Sequence, residues 1–179
     1  RQIIGSGTIL DTARVRARLS EFFNISQANV HAYVFGEHGD SSFVPWSVAN
    51  ISNVPISQCV TVFEGSKMPN TSLNLEEIER YVKESGGQVI QRKGATYYAV
   101  SIAVCHICKC LLSGIDTTMT VSTMMHGDYG IDDVCLSTLS LVGKDGFKHN
   151  IHISLTDEEL FKLRRSAETL KEVIKSVNI

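Results

Sequence analysis

Three residues in this sequence could do chemistry together: Asp11 and Arg14, three apart, and His38, in a glycine-flanked loop. A three-residue step along a helix sets a carboxylate and a guanidinium side by side on one face. Such a pair serves either as a solvated ion pair or as a rigid clamp. A guanidinium grips a planar carboxylate through two parallel hydrogen bonds, which lysine cannot reproduce. His38 stands in Glu37-His38-Gly39-Asp40, just past a predicted strand, where loops display reactive groups. Imidazole titrates near neutrality and can give or take a proton at working pH. A buried carboxylate on its far nitrogen would fix the ring and favour the imidazolium. Asp11 could be that carboxylate; the plainer reading is a solvated loop histidine.

A second grouping is weaker. Two helical steps turn a side chain by about 200°, so Arg16 faces away from whatever Arg14 faces. His31 and His38 lie at most about 20 Å apart along extended chain, and their odd offset aims them at opposite faces. Arg16 with His31 is therefore a candidate second, anion-binding site, against the reading of two solvated basic residues. Gly5-Ser6-Gly7 invites a dinucleotide loop, but Leu10 stands where the third glycine belongs and no acidic ribose partner follows a strand-turn-helix unit. It reads as a tight turn feeding a helix. Cys105-His106-Ile107-Cys108-Lys109-Cys110 raises zinc, yet one helix cannot converge three of these thiols and no second ligand pair follows. No metal site is expected; the thiols read as small buried hydrophobes.

The elements that must carry these residues follow from periodicity. Ile9 to Phe23 reads as a helix, with Leu10, Ala13, Ala17 and Leu19 to Phe22 as a partial apolar stripe. Val30 to Phe35 reads as a strand that stops at Gly36. An irregular polar region runs through Asn74, then a helix from Leu75 to Glu84 closed by Gly86-Gly87. A mostly apolar helix follows over Thr96 to Leu112. Strands are predicted over Thr117 to Met124, Val134 to Val142 and Phe147 to Leu155, the last two joined by Gly143-Lys144-Asp145-Gly146 as a hairpin. Thr156-Asp157-Glu158-Glu159 is a capping box that opens a final helix reaching Val177. The order lacks the strand-helix alternation of a doubly wound sheet, so the expected class is α+β, as one domain over 1–179.

Bulk composition excludes other classes. With 17 Lys+Arg against 19 Asp+Glu the net charge is −2, which offers no cationic surface for nucleic acid or an acidic membrane. The chain is 43% hydrophobic and 20% charged, with mean hydropathy +0.03, so it can bury a core. Five cysteines, an odd number, argue against a disulfide framework. No apolar run is long enough to span a bilayer, and Arg1-Gln2-Ile3-Ile4-Gly5 lacks the layout of a signal peptide. The expected place is soluble and cytoplasmic.

Taken in order, Gly5-Ser6-Gly7-Thr8-Ile9-Leu10-Asp11-Thr12-Ala13-Arg14, Gly36-Glu37-His38-Gly39-Asp40 and Lys93-Gly94-Ala95-Thr96-Tyr97-Tyr98 resemble the C-terminal, substrate-binding half of the lactate/malate dehydrogenase family. The likeness runs down the whole chain to the terminal helix. It implies a mixed, largely antiparallel sheet with flanking helices, and hydride transfer between NADH and a 2-oxo acid. His38 would be the proton donor, Asp11 its orienting carboxylate and Arg14 the binder of the substrate carboxylate. Thr96 would help form the substrate pocket, while Ser6 and Val100 would lie against the nicotinamide end of NAD. The spelling of the first and third motifs resembles bacterial L-lactate dehydrogenases more than malate dehydrogenases. Arg16 and His31 fall where the regulated bacterial enzymes bind fructose 1,6-bisphosphate at a subunit interface, which implies a homotetramer.

Phe43-Val44-Pro45-Trp46 departs from the family's usual order, in which the proline precedes the valine. That keeps open relatives acting on malate or other L-2-hydroxy acids. The family's nucleotide-binding Rossmann half, with its phosphate loop and carbonyl-polarising arginine, is absent from these residues. An inert binding or assembly domain that keeps the fold is the competing expectation.

Overall fold

Helix α1 (Ile9–Phe23) buries Thr12, Val15, Leu19 and Phe23, spaced three or four apart, along one side. This line departs from the expected stripe, for Ala13 and Ala17 are exposed. Alanine has little apolar area to hide, so the larger branched and aromatic side chains decide which face turns inward. Asn24 stops the helix at φ 51, its N–H donating back to Glu21 O. The structure is a computed structural model that describes residues 3–63 and 73–177. Arg1 and Gln2 of the opening segment, and residues 64–72 of the stretch expected to be irregular, lie outside the described residues.

Strands β1 (Val30–His31), β2 (Asn50–Ile51) and β3 (Val54–Pro55) form a small antiparallel meander with Val30 opposite Ile51 and Ile51 opposite Val54. The strand expected over 30–35 therefore ends early. The backbone beyond it is claimed by α1: Val34 N donates to Thr12 Oγ1 at 2.9 Å, and Val34 O accepts from Thr8 Oγ1. Only Phe35 and Gly36 pair again, as single bridges to Phe43 and Ser137. Helix α2 (Ile56–Val62) also falls in the stretch expected to be irregular. It is short and buries only Ile56 and Cys59, too brief a pattern to stand out from turn-rich surroundings.

Helix α3 (Leu75–Lys93) starts where expected, with Asn74 accepting from Glu77 N at 3.1 Å. It does not close at Gly86-Gly87 but runs through them to Gly94, whose φ of 78 supplies the left-handed cap. A glycine inside a helix costs only about 1 kcal/mol relative to alanine. With strong helix formers on both sides, that is too little to stop one. Helix α4 (Tyr98–Leu112) begins two residues later than expected and buries only Ala103 and Ile107.

The C-terminal strands are shorter pieces than predicted. Thr117 to Met124 divides into β4 (Thr117–Met119) and the start of β5 (Ser122–His126). Val134 to Val142 divides into β6 (Asp132–Ser137) and β7 (Ser140–Gly143). The chain changes sheet at each break: β5 pairs with β6, while β7 lies between β4 and β8 (Gly146–Asn150), all antiparallel. The expected hairpin at Lys144-Asp145 joins β7 to β8, and β8 ends at Asn150 rather than Leu155. Helix α5 (Asp157–Ser176) opens on the expected capping box, with Glu159 N donating to Thr156 Oγ1 at 3.2 Å and Thr156 N to Glu159 Oε2 at 3.0 Å. The class is α+β with small antiparallel sheets.

Three apolar clusters hold these layers. Val15, Leu19 and Phe23 pack with Val30, Ile51 and α3 residues Ile78 and Val82. Phe35 and Phe43 pack with Leu136 and with Leu163 of α5. Ile9 packs with Ala103, Ile107, Val121 and Val142. Helix α1 thus begins in one cluster and ends in another, and Asp11 lies between them.

Candidate active site

Asp11 sits in the first turn of α1 with its side chain only 7% exposed. A carboxylate there is favoured by the positive end of the helix dipole, but burial demands partners, and it has two. Asp11 Oδ2 lies 2.6 Å from His38 Nδ1, and Oδ1 accepts from Arg14 Nη1 at 3.2 Å. One carboxylate therefore joins the imidazole and the guanidinium that the sequence singles out. Its oxygens accept only, so the shared proton belongs on Nδ1 and Nε2 is left for something else. The imidazole is 62% exposed and the guanidinium side chain 18%, so the ring faces solvent while the arginine is held partly under cover.

The His38 pKa is raised from its ordinary 6.5. The hydrogen bond to Asp11 is the main cause, opposed by partial burial; the charge of Asp11 adds to it, Arg14 subtracts and Glu37 adds. The site therefore keeps an imidazolium charged further toward neutrality than free histidine.

Residues that sequence reasoning missed set this geometry. Gly7 takes φ +52 in the turn before α1, and a Cβ there would lie 2.4 Å from Ser137 Oγ. Thr8 N donates to that same Oγ at 3.2 Å. Thr12 Oγ1 meets Thr120 Oγ1 at 2.9 Å while accepting Val34 N. These small hydroxyls hold the start of α1 against the chain that leads into His38. The available signal was Thr8 and Thr12 on the face that carries the buried line, where a polar residue needs a partner.

The remaining expected residues stand as follows. Ser6 is exposed in the turn before α1, Thr96 is exposed between α3 and α4, and Val100 is 38% exposed in the first turn of α4. Among the described residues none of the three hydrogen-bonds to Asp11, Arg14 or His38. Arg16 turns the other way from Arg14, donating Nη2 to Gln27 O at 3.1 Å, and among the described residues its buried Nε has no hydrogen-bond partner. Gln27 belongs to the turn that runs into β1, where His31 is exposed. No hydrogen bond joins Arg16 to His31. The cysteine run differs from expectation, because Cys105 and Cys108 are exposed and Cys110 half-buried. Cys105 and Cys108 lie on the side of α4 that this chain leaves uncovered, while Cys110 packs against the cluster of Ile9, Ala103 and Ile107. Among the described residues no cluster of three or more His, Cys, Asp or Glu side chains could hold a metal ion, and no helix is long and apolar enough to cross a membrane.

Residues 8–178 match the family described as lactate/malate dehydrogenase, alpha/beta C-terminal domain. The chain belongs to that family. It is 40% identical over 99% of its length to an L-lactate dehydrogenase of Acetivibrio thermocellus, covering 55% of that relative. It is 43% identical over 98% of its length to L-lactate dehydrogenase 1 of Clostridium acetobutylicum, again covering 55% of it. A solved lactate dehydrogenase from a Medee basin deep-sea metagenome library superposes with a TM-score of 0.91 at 34% identity, covering 99% of this chain and 56% of that one. The L-lactate dehydrogenase of Clostridium thermocellum gives 0.87 at 38% identity, with 99% and 57% covered. The chain thus spans little more than half the length of these relatives.

Proposed function

We propose that these residues form the catalytic and substrate-binding half of an NAD-dependent L-lactate dehydrogenase that interconverts pyruvate and L-lactate. The observation that carries the reading is the shared carboxylate: Asp11 orients His38 through Nδ1 and holds Arg14 beside it. When bound, NADH supplies the hydride to the carbonyl carbon. His38, kept protonated by Asp11, delivers its Nε2 proton to the carbonyl oxygen as charge develops there. Arg14 turns from its single bond with Asp11 to a two-point grip on the substrate carboxylate, which fixes the face presented. Thr96 closes the pocket.

The donor set suits only one end of the cofactor. Gly7, the tight glycine of the opening turn, is packed against Ser137, Ser122 and Thr120 and leaves no cradle for a pyrophosphate. Ser6 and Val100, both exposed, are the residues proposed to lie against the nicotinamide end. The 179 residues by themselves are therefore expected to neither hold NAD tightly nor turn over pyruvate.

Arg16 and His31 are proposed to bind fructose 1,6-bisphosphate as an activator. The support is a guanidinium whose buried Nε has no hydrogen-bond partner among the described residues, beside the turn that leads into β1, where His31 is exposed. A homotetramer and a cytoplasmic place complete the reading. The apolar surface of α4, with Ile102 70% and Leu112 86% exposed, supports an assembly partner. The test is His38→Gln in a polypeptide that joins these residues to a nucleotide-binding half. Loss of pyruvate turnover with the fold retained is expected. Unchanged turnover would leave an inert assembly domain as the better description.

A further inference from the structure

Ser166, in the middle of α5, is fully buried and 129 residues away in sequence from the loop it contacts. Its Oγ accepts Glu37 N at 2.8 Å and lies 2.8 Å from Ser41 Oγ. Those two residues bracket His38. Gly36, at φ +97, brings the backbone so close that a Cβ there would stand 2.7 Å from the same oxygen. Seven residues earlier, on the same face of α5, Glu159 accepts Ser47 N at 3.0 Å and Ser47 Oγ at 2.6 Å. Burial works to raise the Glu159 pKa, but the donors from Ser47 and Thr156 outweigh it and lower the value, so this second clamp stays ionised. Leu163, between the two, is completely buried against Phe35 and Phe43.

We propose that Ser166 is a positioning residue for His38: from α5 it fixes both ends of the Glu37–Ser41 loop and so aims the imidazole at Asp11. The part of this inference that concerns turnover rests on His38 being the proton donor. Asp11 sits on a helix and cannot follow a drifting ring, so the short Nδ1 to Oδ2 contact requires a loop whose backbone is fixed from outside. The loop closes on itself where Ser42 N donates to Gly39 O at 3.1 Å, and the single oxygen of Ser166 ties it from outside at Glu37 and Ser41. Removing it orphans the Glu37 N–H, which then seeks another acceptor and moves the loop.

The test is an NMR titration of the His38 ring in the 179-residue chain, comparing wild type, Ser166→Ala, Ser41→Ala and Ser140→Ala. Ser140 is an equally buried serine that bonds Thr138 O and Asn150 Oδ1 instead of this loop. The expected result is that the His38 midpoint falls toward 6.5 in Ser166→Ala, falls less in Ser41→Ala and stays put in Ser140→Ala. A lowered melting temperature with the midpoint unmoved in Ser166→Ala would make the contact merely structural and overturn the proposal. Should Ser166→Ala fail to fold, an unmoved midpoint in Ser41→Ala would overturn it equally. In a polypeptide that joins these residues to a nucleotide-binding half, Ser166→Ala is expected to lower kcat by roughly 10²-fold with little change in KM. A moved midpoint with unchanged turnover would uphold the positioning and instead defeat the role given to His38.

Discussion

Thr12 and Val34 are joined by a hydrogen bond in which a helix side chain accepts from a backbone N–H at 2.9 Å, in a region closed to water. The same hydroxyl reaches Thr120 at 2.9 Å. One small group therefore ties α1 to the approach of the His38 loop and to the segment between β4 and β5. Thr12→Val keeps the shape but leaves Val34 N and the Thr120 hydroxyl without their partner. A loss of about 1–3 kcal/mol is expected for each polar group left unsatisfied, read as a lower midpoint in urea. Thr12→Ser, which keeps the oxygen, should recover most of it.

The Asp11 contact makes stability depend on pH in a definite direction. The His38 pKa is raised in the folded chain above its ordinary 6.5, so the folded state binds the proton more tightly. The stabilisation is fully present below 6.5 and is lost as pH rises through the folded value. Urea midpoints of wild type and Asp11→Asn, measured across that window, should differ in slope. The wild type loses stability that the variant never had. Parallel curves would show that the imidazole gains nothing from Asp11. Exposure of the ring keeps the effect modest.

Glycine to alanine should act with opposite signs at two positions. At Gly7 a Cβ would lie 2.4 Å from Ser137 Oγ, 2.7 Å from Ser122 N and 3.0 Å from Thr120 O, with φ +52 besides. Crowding of a packed site costs typically about 1–3 kcal/mol, and the left-handed backbone roughly another 1–2 kcal/mol. At Gly86 nothing lies within 4 Å and the residue is inside α3. Gly86→Ala should raise stability by up to about 1 kcal/mol. Thermal melts of the two variants beside wild type decide both.

What the sequence disclosed follows the range of each interaction. Helix α5 was legible because Thr156 and Glu159 cap it from three residues apart, and the Lys144-Asp145 hairpin because two residues suffice to turn. Asp11, Arg14 and His38 were legible as candidates by residue type and spacing, but a solvated ion pair and a solvated loop histidine have the same local spelling, and only the three motifs in order set them apart. The strand at 30–35 was misread because its backbone partners are hydroxyls on α1, over twenty residues away. Gly86-Gly87 misled for a different reason: Gln88 to Lys93 beyond them are exposed, and the helix runs on because two glycines cost too little to stop it before the left-handed cap at Gly94. The role of Ser166 had no local sign at all, because its partners lie 125 and 129 residues distant.

Helix α4 sets the last expectation. A helix this apolar should be buried, yet Tyr98 and Ile102 are each 70% exposed, Val104 45% and Leu112 86%, with Ile115 just beyond at 72%. Apolar surface gathered on one element exceeds what scattered exposed residues explain, and it gives the chain a site that binds other apolar matter. The 179-residue chain should therefore bind a fluorescent apolar dye and associate with rising concentration. Ile102→Gln together with Leu112→Gln should remove most of both effects. The same pair should leave the urea midpoint within about 0.5 kcal/mol of wild type, because neither side chain contributes to a core cluster. Dye binding that survives the double change would place the sticky surface elsewhere. A large loss of stability would show that α4 packs more tightly against α1 than its exposure indicates.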